Sequence, residues 1–550
     1  MTTASVLPAR NGLAPGGLTG TGKLLVFMLR RDRVRFFGWT LGLALLMTYF
    51  SSAMGALAET EEDLESFAGF ARTPAGAMFG GPGFGFDALT VERFLVGEYG
   101  LYLLTGAGLM GLLTVVRHTR AEERAGRTEL IRANVVGRHA QLTAALLLAT
   151  LMATVTALLI AAVMIGGGYD TTGSLVFGAG AGACALAFAG TAAATVQMSA
   201  QPRAAAGTAG AVLGAAFALR ALGDMAHVQQ SGPSWLSWLS PIGWSQQTAP
   251  YTLDRWWPLL LSLAFAAATA ALGYATSMRR DLGAGLFPPR HGAPRAAPWL
   301  NSPLALAFRL HGPGLVGWSA AVLLGSGAYG SFTQPLLDGL EDAPGEVVTL
   351  LGGADNLLDG YLGTMGLMWA FVAGTHAVLA VQSLRNEETE GRTEPVLATA
   401  VGRRALLGGH LTVVGLSTLW LLLLAGLGDG IGAAASTGDA GLLGETVLGH
   451  VAHAPAVWLV LALAALLYGA APGAVPLVWA VLAYGLFAGF FGPLLELPEV
   501  AQSVSPFAHI GEYPAETLSV ASLAVLTALA ALCTAAALAA FRRRDVVTQA

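Results

Sequence analysis

The chain has 550 residues, of which 54% are hydrophobic and only 11% charged, with 72 glycines and a formal net charge of −5. Globular domains carry about a quarter charged residues, so this composition excludes a soluble protein of this size. Several apolar runs reach about 20 residues, the length a helix needs to cross roughly 30 Å of hydrocarbon, and open strands or loops cannot face lipid with unpaired backbone groups. The fold class that follows is an all-α integral membrane protein. Cys184 and Cys533 both lie in apolar runs and offer neither a disulfide framework nor metal-ligand spacing. Lys23 is the only lysine, and with so much Ala and Gly the arginine usage points to a GC-rich bacterial genome.

A Pro/Gly-rich leader runs to Lys23 and has no apolar region of the signal-peptide kind, so the first spanning helix acts as its own insertion signal. Within it, Gly17 to Leu24 fits most of a phosphate-binding loop, but Leu24 stands where a Ser or Thr would hold magnesium. No strand precedes it, and it reads as a coincidence. From Leu24 to Phe37, Arg30, Arg31, Arg33 and Arg35 are set among Leu, Phe and Val. That pattern suits a helix lying in the membrane interface, or plain positive charge flanking the first span.

Six spans are expected in the first half, at about 36–56, 95–116, 140–166, 174–198, 204–222 and 256–277. A long loop with Glu59, Glu61, Glu62, Asp63 and Glu65 separates the first two. Three charged residues fall in or beside the spans of this half, Glu98, and Arg220 with Asp224 four positions on, and His376 is a further polar candidate in the second half. An intramembrane charge is a functional-site hypothesis by default, and the i,i+4 spacing also suits a structural ion pair on one helix face. Trp235, Trp238, Trp244, Trp256 and Trp257 gather around Ser240-Pro241, an interfacial belt by residue type. A Pro/Arg-rich linker with Pro288, Pro289, Arg290, Pro294 and Arg295 then divides the chain. The expected division is 1–283, linker 284–303, and 304–550. The second half is expected to span at about 315–333, 360–383, 406–428, 449–471, 473–493 and 515–541.

The halves echo one another. Arg120-Ala-Glu-Glu-Arg-Ala-Gly-Arg-Thr-Glu129 returns as Arg385-Asn-Glu-Glu-Thr-Glu-Gly-Arg-Thr-Glu394, at an offset of 265 (385 minus 120). Ser240-Pro241 recurs as Ser505-Pro506, Arg280-Asp281 as Arg544-Asp545, and Arg30 with Gly38-Trp39 as Arg309 with Gly317-Trp318. Matches in constant order identify an internal duplication, and six spans per half make the repeats parallel. The arginine clusters all fall on one side of this twelve-span arrangement and the acidic loops, among them 429–445, on the other. The positive-inside rule places both termini and both copies of the charged motif in the cytoplasm.

Each charged motif predicts a break and a short helix. Gly126 and Gly391 interrupt the outgoing helix. Thr128 and Thr393 are expected as N-caps, with Glu129 and Glu394 in the first turn facing the positive end of the helix dipole. Gly137 and Gly402 are expected to end a helix of about eight residues, roughly 12 Å long. Glu122-Glu123 and Glu387-Glu388 would extend the preceding spans into water. An ordinary charged loop needs only arginine, whereas this one repeats an acidic pair and a Gly-Arg-Thr-Glu order, which points to a docking surface.

On these residues the chain resembles the membrane subunits of bacterial ABC-type drug and antibiotic exporters. It is most similar to their duplicated branch, associated with polyketide-antibiotic resistance and mycobacterial multidrug efflux. The resemblance covers nearly the whole chain. It implies that Glu122, Glu123, Gly126, Thr128 and Glu129, and likewise Glu387, Glu388, Gly391, Thr393 and Glu394, couple the membrane part to a separate ATPase. Arg127 and Arg392 depart from it, inserted where the common pattern runs directly from Gly to Thr. Further implications are two copies of a cytoplasmic ATPase, ATP and magnesium bound on that partner and not on this chain, a lipophilic cargo moved outward, and a bacterial plasma-membrane location. The Ser-Pro segments would form short re-entrant helices capping the exit. A proton-coupled secondary transporter, which also has two six-span halves, is the first rival reading, and a lipid-handling enzyme or sensor the second. No nucleophile constellation, metal site or nucleic-acid signature is legible, and His450 and His453 read as incidental.

Overall fold

The computed structural model describes residues 16–57, 64–65, 69, 71–230, 232–287, 294–340, 357–492 and 497–546. Glu59, Glu61, Glu62 and Asp63 of the acidic loop, and Pro288, Pro289 and Arg290 of the linker, lie outside the described residues. The described residues hold helices and turns and no strand, and eleven of their helices are long and apolar enough to cross a membrane. The protein is an all-α integral membrane protein. Two compact units divide the chain, residues 1–292 and 293–550.

The first unit begins with α1 (Thr21–Arg31), whose Leu24 and Met28 are buried and whose last turn carries Arg30 and Arg31. Asp32 ends it, and α2 (Arg33–Leu57) starts on the Asp32 carbonyl, which accepts from the Phe36 amide at 2.8 Å. Only Arg30 and Arg31 therefore belong to the short amphipathic helix. Arg33 and Arg35, expected beside them, stand in the first turn of the spanning helix. Then come α3 (Val91–Arg124), α4 (Arg127–Arg132), α5 (Ala140–Gly166), α6 (Thr171–Met198), α7 (Pro202–Val228), α8 (Pro241–Gln246) and α9 (Pro258–Ser277).

Helix α6 is the centre of this unit, packed on α3, α5 and α9. It can be so because its sequence is largely Ala and Gly. Small residues let helix backbones approach closely where lipid supplies no hydrophobic drive between helices. Gly111 of α3 lies against the Ala185 carbonyl, Gly178 against that of Ala157, and Gly190 against that of Ala266. Helices α2 and α9, in contrast, keep most of their apolar side chains exposed, as lipid-facing helices do.

At the end of the unit remote from α1, the Arg220 guanidinium is fully buried. It pairs with Asp224 at 3.2 Å and donates to the Ala77, Met78 and Gly80 carbonyls. The Ser237 hydroxyl donates to Asp224. The pair thus pins two connecting segments onto α7. Glu98 sits beside Gly80, in a π-helical turn of α3 (Leu95–Tyr99). Ser240 caps α8 by accepting from the Ile242 and Gly243 amides, and Trp238 stacks on Trp257 with ring centres 5.3 Å apart.

The second unit comprises α10 (Pro303–Gly330), α11 (Leu357–Thr389), α12 (Thr393–Leu397), α13 (Arg403–Thr437), α14 (Leu442–Ala470, interrupted at His453), α15 (Val478–Phe491) and α16 (Val520–Arg543). Three of its features differ from expectation. The span expected at 315–333 is the latter part of one continuous helix that starts at Pro303 and runs through Pro313. That helix, rich in Gly and Ser, is not among the eleven apolar enough to cross. Asp429, expected in an outer acidic loop, is instead buried within α13, 2.8 Å from Nε2 of His450. Helix α15 is preceded by a 3-10 turn (Pro472–Leu477) that occupies the start of the span expected at 473–493.

Because Gly111 meets a backbone carbonyl, Gly111→Val cannot be absorbed by rotating a side chain. We expect overpacking to cost about 1–3 kcal/mol or more, read as a lowered melting temperature in detergent, whereas Gly42→Ala, where a Cβ meets nothing within 4 Å, leaves it unchanged.

Candidate coupling surface

In the first unit α3 leaves the bundle through a second π-helical turn (Arg117–Ala121) and ends at Gly126, whose φ of 71° is left-handed. Glycine is the residue that takes this conformation without strain. Gly391 does the same in the second unit, at φ 72°. Beyond each break lies a helix of six residues in α4 and five in α12, shorter than the eight expected.

The N-caps are also displaced. Gly126 and Arg392 hold those positions, and Thr128 and Thr393 are inside the helices and buried. Thr128 accepts a hydrogen bond from Nε2 of Gln141 at 3.1 Å, and the same amide group donates to the His118 carbonyl at 3.0 Å. The threonine anchors α4 to α5 and α3 rather than capping it. Nor do the later glycines end the helices. Gly402 is the N-cap of α13. Gly137 lies against the chain at Gly16-Gly17, its amide donating to the Thr19 carbonyl at 2.8 Å. The apparent phosphate-loop segment is therefore a brace for the coupling loop, with the Gly17 carbonyl accepting from the His139 amide at 2.9 Å.

The acidic pair does not project into water. Glu122, 5% exposed, receives Arg31 at 2.9 and 3.0 Å and Arg127 at 2.6 and 3.1 Å. Glu123 receives Arg280 at 2.7 and 3.0 Å and Arg120 at 2.7 Å. Arg280 also donates to Gln197 at 2.5 Å, and Arg120 to the carbonyls of Val196 and Ala284. The second unit repeats the scheme. Glu387 receives Arg392 at 2.5 and 2.6 Å. Glu388, 3% exposed, receives Arg544 at 2.6 and 2.7 Å and the Tyr468 hydroxyl at 2.5 Å. In both copies the first carboxylate is held from within the loop and the second from the end of the last helix. Arg127 and Arg392, the departure from the common pattern, make the first of these clamps. The carboxylate that each faces raises its guanidinium pKa above the ordinary value, through the hydrogen bond first of all.

What remains on the outer surface is the last residue of each Gly-Arg-Thr-Glu run and its neighbours. Glu129, Leu130, Arg132, Ala133 and Val135 are exposed in the first unit, Leu130 at 71% and Val135 at 73%. Glu394, Pro395, Ala398 and Thr399 are exposed in the second. Each unit therefore offers the carboxylate of that last residue and a small apolar patch on a rigid base, and the second unit also exposes Glu390, which Arg392 meets.

Asp32 escaped the sequence reading. It is buried and accepts from Arg117 at 2.5 and 2.8 Å, with Nε2 of His118 at 2.9 Å. These bonds, with Arg31 on Glu122, tie the α1–α2 corner to the root of the coupling loop. The signal for it was a lone acid within an arginine run, opposite another such run. Burial alone pushes the Asp32 carboxyl up, but the Arg117 hydrogen bonds with the His118 and Arg117 charges outweigh it and hold the group below its ordinary value.

A family model described as "Multidrug efflux system permease Rv1217c, C-terminal domain" matches residues 22–276 and 300–542, one stretch in each half. The chain belongs to this family of multidrug efflux permeases. The Mycobacterium tuberculosis (strain ATCC 25618 / H37Rv) protein "Multidrug efflux system permease protein Rv1217c" is 37% identical over 536 residues, covering 96% of each chain. A multi-pass membrane permease of the drug-efflux kind, a transporter rather than an enzyme, accords with the helices described above. In this permease both loops fall inside the matched stretches, while two of the clamping arginines stand just beyond them, Arg280 four residues past the first stretch and Arg544 two past the second.

Two outcomes follow for the permease. Removing one partner of a buried pair costs about 3–5 kcal/mol, so Glu123→Gln and Glu388→Gln each lower the melting temperature in detergent. Glu129→Gln and Glu394→Gln, at exposed positions, change stability by less than about 0.5 kcal/mol. Because the folded pKa of Asp32 is depressed, its contribution is complete above the ordinary carboxylate value of about 3.9 and is lost as pH falls through the folded value. Protease sensitivity at the α1–α2 corner therefore rises at acid pH, and Asp32→Asn shows the raised sensitivity already at pH 7.

Proposed function

We propose that this permease is the membrane subunit of an ATP-driven exporter in a bacterial plasma membrane, with both termini and both coupling loops cytoplasmic. Each loop is gripped by one copy of a separate cytoplasmic ATPase, which binds the ATP and magnesium. The twelve expected spans, taken as two parallel halves, form one translocation path for a lipophilic compound, and the permease named for Mycobacterium tuberculosis supports a drug as cargo. One observation carries the proposal above all. Two loops in separate halves bury the same threonine, clamp the same acidic pair and leave the same glutamate outside. A loop that had only to retain arginine on one side of a membrane needs none of this. A motor that must push on the bundle needs all of it, because a handle transmits force only when its base is rigid.

The clamps also say where force would go. Motion of α4 reaches α3 through Glu122 and the end of α9 through Glu123 and Arg280. Motion of α12 reaches the end of α16 through Glu388 and Arg544. ATP-driven closure of the two motors would thus tilt the second and last spans of each half together, and in the first half the α1–α2 corner with them.

A proton-coupled secondary transporter remains the second reading, favoured by the buried pair in the second unit. Nδ1 of His450 faces the Thr446 carbonyl at 2.7 Å and its Nε2 faces Asp429 at 2.8 Å. A ring with an acceptor at both nitrogens obliges the pair to hold an extra proton, on the imidazole or on the carboxyl.

The two readings separate on one double substitution. Glu129→Ala with Glu394→Ala leaves membrane insertion and melting temperature intact and lowers both efflux and ATPase association by about tenfold or more, as expected for charged contacts at two docking sites. Unchanged efflux in the double variant, together with collapse of transport on dissipating the proton gradient, would establish the secondary transporter instead.

A further inference from the structure

A cavity of about 450 Å³ opens in the first unit where α1 meets α2, α3, α5 and α7. Its two ends differ in chemistry. One end is lined by Asp32, Arg35, Arg117, His118 and Arg203. The other runs along the spanning helices, past Trp39, Leu113, Leu148 and Met152. Leu148 and Met152 lie eight and twelve residues into α5 (148 and 152 against Ala140), roughly 12 and 18 Å along the helix at 1.5 Å per residue. The apolar end therefore reaches well into the depth of the spans.

The charged end has a definite sign. Its single carboxylate, Asp32, is already met by both arms of Arg117 and by His118. Three guanidinium groups against one carboxylate leave a positive surplus, and Arg35 and Arg203 are exposed at the rim. A positive rim above an apolar channel is the complement of a molecule with an anionic head and an apolar body. The size falls within the about 300–1,000 Å³ range of small-molecule sites, and basic pockets between spanning helices hold anionic head groups. These charges do not recur at the matching positions of the second half. At the repeat offsets Asp32, Arg35 and Arg117 correspond to His311, Gly314 and Gln382, so the duplication does not account for this chemistry.

We propose that this cavity is a binding site for an anionic amphiphile, with the head group on Arg35 and Arg203 and the apolar body lying along Trp39, Leu113 and Met152. Two sources share that chemistry, a membrane phospholipid with an anionic head and a diffusible lipophilic acid. The inference does not depend on the ATPase partner, since the site is complete within one unit.

The test uses the full chain in nanodiscs of phosphatidylcholine doped with one photoactivatable probe at a time: phosphatidylglycerol, phosphatidylcholine, or a single-chain fatty acid. Labelled peptides are mapped by mass spectrometry. Labelling by phosphatidylglycerol on the stretches around Trp39, Leu113 and Met152 supports the site with a membrane lipid as occupant, and labelling there by the fatty acid supports it with a diffusible acid. In either case Arg35→Gln with Arg203→Gln, both at exposed positions, lowers the labelling about tenfold. Leu148→Trp, which fills the apolar end, lowers it while both arginines remain. Labelling by neither anionic probe, or equal labelling by phosphatidylcholine that survives the arginine substitutions, overturns the proposal.

Discussion

A guanidinium group at the end of the last helix holds the second carboxylate of each coupling loop, Arg280 on Glu123 and Arg544 on Glu388. All four side chains are largely withdrawn from water. An ion pair in that setting gains little net stability over an apolar contact of the same shape. Breaking it, however, leaves a charge buried without a partner. Such a pair therefore acts as a latch with a fixed geometry more than as a source of stability. Around it the loop closes from three sides: Arg31 from α1, Arg127 from within, and the backbone of residues 17–19 on Gly137 and His139.

Much of this was legible in the chain, and what was not has a physical cause. Helix positions followed from apolar length, because a span has little freedom in where it ends. The repeat picked out Glu123, Glu388, Arg280 and Arg544 as recurring residues, but two echoes at nearly equal offsets do not say that they touch. The acidic pair therefore looks solvated in the sequence, and in the structure it is clamped. Thr128 and Thr393 were misplaced for a related reason. A threonine before a glutamate has the pattern of an N-cap, and for Thr128 the sequence does not show that Gln141 lies across the groove to engage its hydroxyl. Asp32 and Asp429 were invisible as sites, since a lone carboxylate among arginines or glycines shows nothing of its burial. The departure from the common pattern at Arg127 and Arg392 is the opposite case. It looked like a disturbance of the motif, and its side chains supply the clamp on Glu122 and Glu387.

The halves share the charged loops and the Ser-Pro caps at Ser240 and Ser505, and differ in their buried charges. The buried ion pair of the first unit, Arg220 with Asp224, pins connecting segments onto α7. The second unit carries Asp429 with His450 inside α13 and α14 instead. The start of each half differs as well: α1 and α2 break at Asp32, whereas α10 runs unbroken through Pro313. A duplicated chain is free to diverge wherever the two copies do different work, and here the loops are among the parts kept alike. That distribution supports the proposal of two identical motors gripping the permease, with cargo chemistry free to be lopsided.

The central claim is that both exposed patches are handles for the same motor on the same side of the membrane. Single cysteines at Leu130→Cys and Ala398→Cys, placed in a background with Cys533 replaced, can be probed with a membrane-impermeant maleimide in inside-out vesicles. The account predicts that both positions react there, that neither reacts in intact cells, and that both are protected when the ATPase is bound. Reaction of the two positions from opposite sides, or reactivity unchanged by the ATPase at either one, would contradict it.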